Sequence, residues 1–516
     1  MVTKVKDLHE FVRVLEESGE LLRVRAEVDP LLELSEIAAR MMKQPCPQGA
    51  WGAPAHDRAA GGLGGKALLF ENVRGHRMPV LINAYGSYRR LCCAAGCESL
   101  EALSARVAKL AQVRMPDGLL GALRKLPELA HLASLRPKVR SGGGAPCQQV
   151  VEEGGQADLT RLPVIQCWPD DGLDHPALPH ARRYITMGSV LSCHPQSGAR
   201  NLGIYRVQLH GPRRAAMHIH PPHDGAANWR AWRDLGKPMP AAVVLGGEPA
   251  IALAAASPLP PGFDELLLAG FLQGRAIELA ACRTIDLAVP ASAEIVIEGY
   301  VSHQEMVREG PFGDHTGFYS AAGEFPAFHV TAITRRRDAI FPATVVGYPP
   351  MEDYYLGKAI ERMFLPVLRM LCPEIVDYDL PVFGAFHNFV FVQIRKQYPH
   401  QARRVMHALW GAGQLALGKF IVVVDESVDV HDPSAVWFAV GANADPARDI
   451  EHASGPLDIL DHASPQVGSG GKLGIDATRK LPDECPGRTW PEPLKMSDAV
   501  RQQVQRRWKE FGLDLQ

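Results

Sequence analysis

The chain has 516 residues, of which 46% are hydrophobic and 22% charged, with a formal net charge of -2. That is ordinary globular composition spread over about three domains' worth of chain. A balance so close to neutral excludes a polycation built to hold nucleic-acid backbones or anionic membrane surfaces.

The opening residues, MVTKVKDLHEF, have no apolar core and no small-residue cleavage site, so no secretory leader is expected. In residues 7–18, Leu8, Phe11, Val12 and Leu15 share one face, which predicts a helix ended near Gly19. The Gly-, Ala- and Pro-rich stretch 45–66 reads as a flexible surface insertion. ALLFENV (67–73) and PVLINAYG (79–86) read as strands. Cys92, Cys93 and Cys97 in CCAAGC read as small buried helix residues, because no second thiol or histidine pair follows at zinc-site spacing. Ten cysteines are too few for a disulfide scaffold in so long a chain, and a reducing cytoplasm is the expected compartment. Residues 99–131 read as mostly helical, and RPKVRSGGGAPC (136–147) marks a boundary.

Between 145 and 335 the pattern changes to short β-rich runs separated by Pro and Gly: RYITMGSVLS, NLGIYRVQLHG, AAMHIH, AAVVLGG, IELAAC, AEIVIEGYV and AFHVTAITRR. They predict a mainly antiparallel sheet or barrel. The apolar stretch 241–263 is cut by Glu248 and several prolines, so no membrane-spanning helix is expected. Further on, helix and strand alternate: 360–372 helix, 389–394 strand, 401–410 helix, 419–425 strand. This favours a parallel α/β layer. Asp425, Glu426, Asp429 and Asp432 do not fit a calcium loop and read as a solvated turn. HASPQVGSGGK (462–472) reads as a mobile loop, and the tail from about 494 as an amphipathic helix. The expected units are 1–135, 145–335, 338–460 and 461–516.

Three segments carry chemistry. In NLGIYR, Gly203 permits close approach and Arg206 is able to clamp a carboxylate or phosphate, although on this segment alone a salt-bridged surface arginine is the favoured reading. In MHIHPPHDG, His218 and His220 share a strand face and a Pro-Pro turn is able to bring His223 round, as in a metal cluster or a histidine-rich strand end. In EGPFGDHTGFY, Glu309 and Asp314 flank Gly310, Pro311, Phe312 and Gly313. Neighbouring carboxylates repel, so one is expected to keep its proton toward neutral pH and act as an acid.

Together these segments resemble the UbiD family of decarboxylases, which use prenylated FMN. NLGIYR, VPASAEIVIEGY (289–300) and EGPFGDHTGFY stand in the family's order and spacing, and GAPCQQ (144–149), KQYPHQARRVM (396–406) and DHASP (461–465) are also similar. The likeness runs over nearly the whole chain outside 45–66 and is nearest the 4-hydroxy-3-polyprenylbenzoate decarboxylases. It implies an α/β (α+β) multidomain fold: an N-terminal α/β domain, a central flavin-binding split β-barrel, and a C-terminal α/β domain with a terminal helix. It implies a divalent metal, usually manganese, on Asn201, His223 and Glu265, with K+ beside it at the flavin phosphate. The cofactor would be lined by Asn201, Ile204, Tyr205, Arg206, His218, Ile219, His220, Asp224 and Gly225. Arg206, Glu309 and Asp314 would be catalytic.

The implied reaction is reversible, non-oxidative decarboxylation of an aromatic or α,β-unsaturated acid, by default a polyprenyl-hydroxybenzoate. A flavin prenyltransferase would supply the cofactor, and a homo-oligomer (a dimer or dimer-based hexamer) is implied. The chain departs from the polyprenyl-type pattern at His218–His220 and at Pro222, His223 and Asp224, which makes a small aromatic or heteroaromatic acid the alternative. A metal hydrolase using the histidine cluster, or a non-catalytic flavin-binding paralogue, are the readings from other classes.

Overall fold

The computed structural model describes residues 4–47, 57–111, 130–140, 144–220, 223–260 and 262–512. The helix Leu8–Glu17 is capped by Asp7, whose side chain accepts the Glu10 amide at 2.9 Å, and it buries Leu8, Phe11, Val12 and Leu15. This is the predicted face, turned onto the N-terminal core. The sheet beside it has the order Leu21–Val28, Ala67–Val73, Val80–Ile82, Phe341–Ala343. Its first strand alternates Leu22, Val24, Ala26 and Val28 with Arg23, Arg25 and Glu27, a strand pattern that the sequence reading passed over. Its last strand comes from beyond residue 338, so the N-terminal sheet is completed by residues that the pattern assigned to the C-terminal unit. Cys92 and Cys97 are buried in the same core. The helix Leu100–Ala111 accounts for the start of the expected helical stretch, whose residues 112–129 lie outside the described ones.

The expected surface insertion needs correction. Residues 48–56 lie outside the described residues, but Asp57, Ala60, Gly61, Gly64 and Gly65 after them are buried. Asp57 accepts the Tyr88 hydroxyl at 2.5 Å, and the Ala60 carbonyl accepts the Tyr355 hydroxyl at 3.0 Å. A Cβ at Gly64 would collide with the Gly86 carbonyl, and one at Gly65 with that of Met41. The glycines serve close backbone packing here.

The central domain is a nine-stranded antiparallel sheet. Every β-run read from the sequence contributes a strand, six of them to the nine-stranded sheet and IELAAC to a small separate one. Its connectivity forces curvature. Arg200–Ile204 and Val207–Gly211 stand six places apart in the strand order, yet only residues 205 and 206 join them. Six places in a flat sheet span about 29 Å. Three Cα steps reach at most about 11 Å. The sheet therefore curls into a half-barrel whose ends approach at Tyr205–Arg206. Val207, Leu209, Ala215, Met217, Val243, Ile295, Ile297 and Phe328 fill its interior.

The C-terminal domain has the strand order Ile375–Asp379, Phe389–Ile394, Phe420–Asp425, Ser469–Asp476, Ile450–Pro456. The middle three are parallel and both edges antiparallel, so the expected parallel layer is its core. Part of the expected mobile loop is in fact the strand Ser469–Asp476, paired on both sides. Gly470 sits there because a Cβ would press on Leu457 and Ser464. The helix Glu352–Leu371 ties the domains: Tyr354, Tyr355, Ala359 and Met363 enter the N-terminal core, and Leu365 and Leu368 the C-terminal one. The terminal helix Asp498–Arg507 forms as expected and buries no side chain. Among the described residues no helix is long and apolar enough to cross a membrane.

Arg90 tests the interior placement of the glycine segment. Fully buried, it donates to Glu20 at 2.9 Å, to the Gly65 carbonyl at 2.7 Å and to the Gly64 carbonyl at 2.9 Å. Arg90→Ala takes the one close cation from the buried Glu20 carboxylate and a donor from each of two carbonyls, and is expected to cost about 3–5 kcal/mol by urea unfolding. A cost below about 1 kcal/mol, the range of an exposed pair, would contradict the packing.

Candidate active site

EGPFGDHTGFY is the crossing between two long paired strands, Ile295–Glu309 and Gly323–Arg335. Glu309 is the last residue of the first strand and has a fully buried side chain. The loop after it is pinned from below. Asp171 accepts the Gly313 amide at 2.7 Å, the Trp168 amide at 2.8 Å and the Cys167 amide at 3.1 Å. Burial still pushes the Asp171 carboxyl up to about 6. The Tyr184 hydroxyl donates to the Gly310 and Pro311 carbonyls at 3.1 Å each. A Cβ at Gly310 would collide with Gly172, and one at Gly313 with the Trp168 ring. The glycines let the loop lie flat on this floor.

Arg206, at the seam of the half-barrel, meets the loop. Its Nε and Nη2 donate to the two Glu309 oxygens at 2.8 and 2.9 Å, Nη1 donates to Asp314 at 2.6 Å, and Nη2 also reaches the Ser320 hydroxyl at 3.0 Å. The guanidinium lies over the Phe312 ring, 4.9 Å from its centre. The expected proton-holding carboxylate is corrected by this arrangement. Arg206 sits between the two acids, and both are held below the usual carboxylate range despite burial: Glu309 by Arg206 and His218, Asp314 by His315 and Arg206. The expected bidentate clamp of Arg206 is likewise already engaged, by Glu309.

His218 Nδ1 lies 2.6 Å from Glu309. The carboxylate only accepts, so His218 donates there, and burial keeps the ring neutral. Its Nε2 is then a buried acceptor with no partner among the described residues. The rings of His218, His220 and His223 form a row with centres 4.8 and 5.2 Å apart. Among the described residues no group of three or more His, Cys, Asp or Glu is arranged to hold a metal ion, so the row is not a histidine chelate. Ile219 is buried beside it.

Asn201 and Glu265 converge from a strand and a helix start. The Asn201 amide donates to Glu265 at 3.3 Å, and Glu265 also accepts the Leu202 amide at 3.0 Å. Burial pushes the Glu265 carboxyl up to about 7. Tyr205 links this pair to His223: its hydroxyl is 3.4 Å from Asn201 and its ring centre 6.2 Å from that of His223. The close approach expected at Gly203 is that of the Tyr205 ring itself, which a Cβ would meet at 2.8 Å. A Cβ at Gly225 would meet the hydroxyl of the same tyrosine at 2.6 Å, and Asp224 opens the helix Asp224–Asp234, whose N-cap position is His223. Ile204 ends the strand Arg200–Ile204 and is partly exposed.

Three participants escaped the sequence reading. His315 Nδ1 lies 3.0 Å from Asp314, and its Nε2 lies 2.9 Å from Nε2 of His387. Ala385 and Phe386, both at φ 48°, turn the chain so that His387 meets the loop. Nothing in the local pattern FGAFHNF announces this. Asp171 was also missed; its signal was the Asp-Gly pair in WPDDG.

The chain matches three adjoining family profiles: the 3-octaprenyl-4-hydroxybenzoate carboxy-lyase N-terminal domain over 12–110, the Rift-related domain over 138–349, and the C-terminal domain over 354–477. The chain belongs to the UbiD family. It is a carboxy-lyase of the UbiD class. An uncharacterized protein of Aquifex aeolicus is 44% identical, with 99% of each chain covered. Another, of Archaeoglobus fulgidus, is 43% identical over 98% of each. The UbiD-class enzyme HmfF of Pelotomaculum thermopropionicum, solved in complex with FMN, is 27% identical with a TM-score of 0.73, covering 96% of this chain and 99% of its own. The vanillic acid decarboxylase of Sedimentibacter hydroxybenzoicus in closed form is 25% identical with a TM-score of 0.82, covering 99% and 100%.

The residues fit what UbiD enzymes hold. An amide, a carboxylate pushed up by burial and an imidazole at Asn201, Glu265 and His223 suit a divalent cation. The orphaned Nε2 of His218 is an acceptor for a polar group of a ligand.

One consequence is a pH-dependent stability. Pairing with Asp314 raises His315 to about 9, above its ordinary 6.5. Its stabilisation is full below pH 6.5 and is lost as pH rises through about 9. His315→Gln should flatten the fall in urea midpoint from pH 6 to about 9.5 relative to wild type. An unchanged pH slope in the variant would contradict the pairing.

Proposed function

We propose that this UbiD-family chain decarboxylates a compact aromatic acid, reversibly and without oxidation, using prenylated FMN. HmfF of Pelotomaculum thermopropionicum has been solved with FMN and, in an evolved dimeric form, with prFMN. The observation that carries the assignment of roles is the unequal exposure of the two loop acids, each of which has both oxygens hydrogen-bonded. Both Glu309 oxygens are taken, by Arg206 and His218, and its side chain has no exposed surface. Asp314 keeps 13% of its side-chain surface. Glu309 therefore anchors, and Asp314 is the acid that reaches a substrate.

Asn201, His223 and Glu265 would hold the divalent cation, taken to be manganese with K+ beside it, at the flavin phosphate. The prenylated flavin, when bound, supplies the sink for the electron pair left by departing CO2. Arg206 orients the substrate carboxylate with the Nη1 hydrogen left over from its four named bonds among the described residues. Asp314 gives a proton to the carbon that loses CO2. Ionised at rest, it first accepts one, and His315 Nδ1 is 3.0 Å away. A flavin prenyltransferase supplying the cofactor, and a dimer or dimer-based hexamer, complete the proposal.

The compact substrate is supported by the polar imidazole row of His218, His220 and His223 and by the likeness to the vanillic acid decarboxylase. Flavin-loaded protein should release CO2 from vanillate, 4-hydroxybenzoate or a heteroaromatic acid faster than from a 3-polyprenyl-4-hydroxybenzoate. The reverse order would overturn the compact substrate. Asp314→Asn should lower turnover by about 100-fold or more with flavin content unchanged. Wild-type turnover in that variant would overturn the acid role.

A further inference from the structure

The Arg206 cluster continues past Asp314 into a chain of three groups: Asp314 Oδ1 to His315 Nδ1 at 3.0 Å, and His315 Nε2 to His387 Nε2 at 2.9 Å. The hydrogens can be counted. A carboxylate only accepts, so His315 Nδ1 carries a hydrogen. Two imidazole nitrogens that face each other need one hydrogen between them. If it belongs to His315, that ring is an imidazolium and His387 is a neutral acceptor.

The surroundings favour this placement. Asp314, Asp353 and Asp458 face His315, while His387 faces the His315 charge as well as Asp314, Asp458 and Asp461. Asp314 raises His315 to about 9; burial and the adjacent imidazolium lower His387 to about 4. Asp353 Oδ2 and His387 Nδ1 have no hydrogen-bond partner among the described residues. The contact also crosses the fold. His315 belongs to the half-barrel loop, and His387 precedes the strand Phe389–Ile394 of the C-terminal sheet.

Building on the assignment of Asp314 as the acid, we infer that His315 stores the proton that Asp314 delivers, and that His387 is the positioning residue that decides which His315 nitrogen discharges. In one turnover the Nδ1 proton of His315 passes to the Asp314 carboxylate, and the Asp314 proton passes to the carbon that loses CO2. His315 is left neutral, with its remaining hydrogen on Nε2, donated to His387. The same nitrogen of His387 thus holds the ring in both states, and Nδ1, the nitrogen that faces Asp314, is the one that discharges during turnover. A solvent proton then restores Nδ1. One proton is taken up per CO2 released, and the protein gains or loses no electrons.

The test uses the full chain labelled with 15N-histidine, with two-bond 1H–15N spectra recorded against pH and the rings assigned by the loss of signals in His315→Gln and His387→Gln. These spectra need no substrate. His315 should be doubly protonated at pH 7 and lose one proton near pH 9, with His387 neutral and its Nε2 bare at pH 7. His387→Gln retains an acceptor and should keep the His315 midpoint. His387→Phe removes it and should lower that midpoint by about one unit or more. In CO2 release from the acids above, His387→Phe should lower kcat roughly tenfold at constant KM, with the basic limb moving by the same amount as the midpoint, and His387→Gln should restore both. A neutral His315 at pH 7 or an unmoved midpoint in His387→Phe would each overturn the inference. If Asp314→Asn instead kept wild-type turnover, the acid assignment would fall, and the ring spectra would still decide the protonation states.

Discussion

One guanidinium organises the centre of this molecule. Arg206 stands on a two-residue bridge between strands that a flat sheet would hold about 29 Å apart. The sheet curls to bring them together, and the curl carries Arg206 against the loop that leaves Glu309. Burying a positive charge there is tolerable because two carboxylates, a hydroxyl and a ring face surround it. Burying Glu309 and Asp314 is tolerable for the same reason. Neither part of the cluster is stable inside the protein without the other, so fold and site are specified by one set of contacts.

The two ends of the site differ in how they hold charge. Around Arg206 the acids are ionised by a neighbour of opposite sign. Around Glu265 the carboxyl is pushed up by burial, with an amide and a backbone N–H as its partners. The first environment suits proton traffic and the second suits an incoming cation. Tyr205 and the histidine row lie between them and keep the two apart by a few residues of chain.

Much of this was legible from sequence, and the reasons are specific. The central strands alternate and are punctuated by Pro and Gly, so each was visible. EGPFGDHTGFY could be recognised because glycine on a floor of Gly172 and Trp168 tolerates no substitute. The electrostatics of that loop were not legible. Repulsion between Glu309 and Asp314 was readable from their spacing, but the arginine between them comes from a hundred residues earlier. Glycines at 64, 65 and 470 read as flexibility and turned out to be close packing, since composition does not distinguish a glycine that moves from one that touches. His387 was invisible because its role depends on the meeting of two domains.

The most direct measurement is turnover of flavin-loaded Arg206→Lys. Lysine keeps the positive charge but has no planar fork to hold both Glu309 oxygens while reaching Asp314. With flavin content unchanged, CO2 release is expected to fall by about 100-fold or more. Near-wild-type CO2 release in that variant would contradict the central place given to the Arg206 fork.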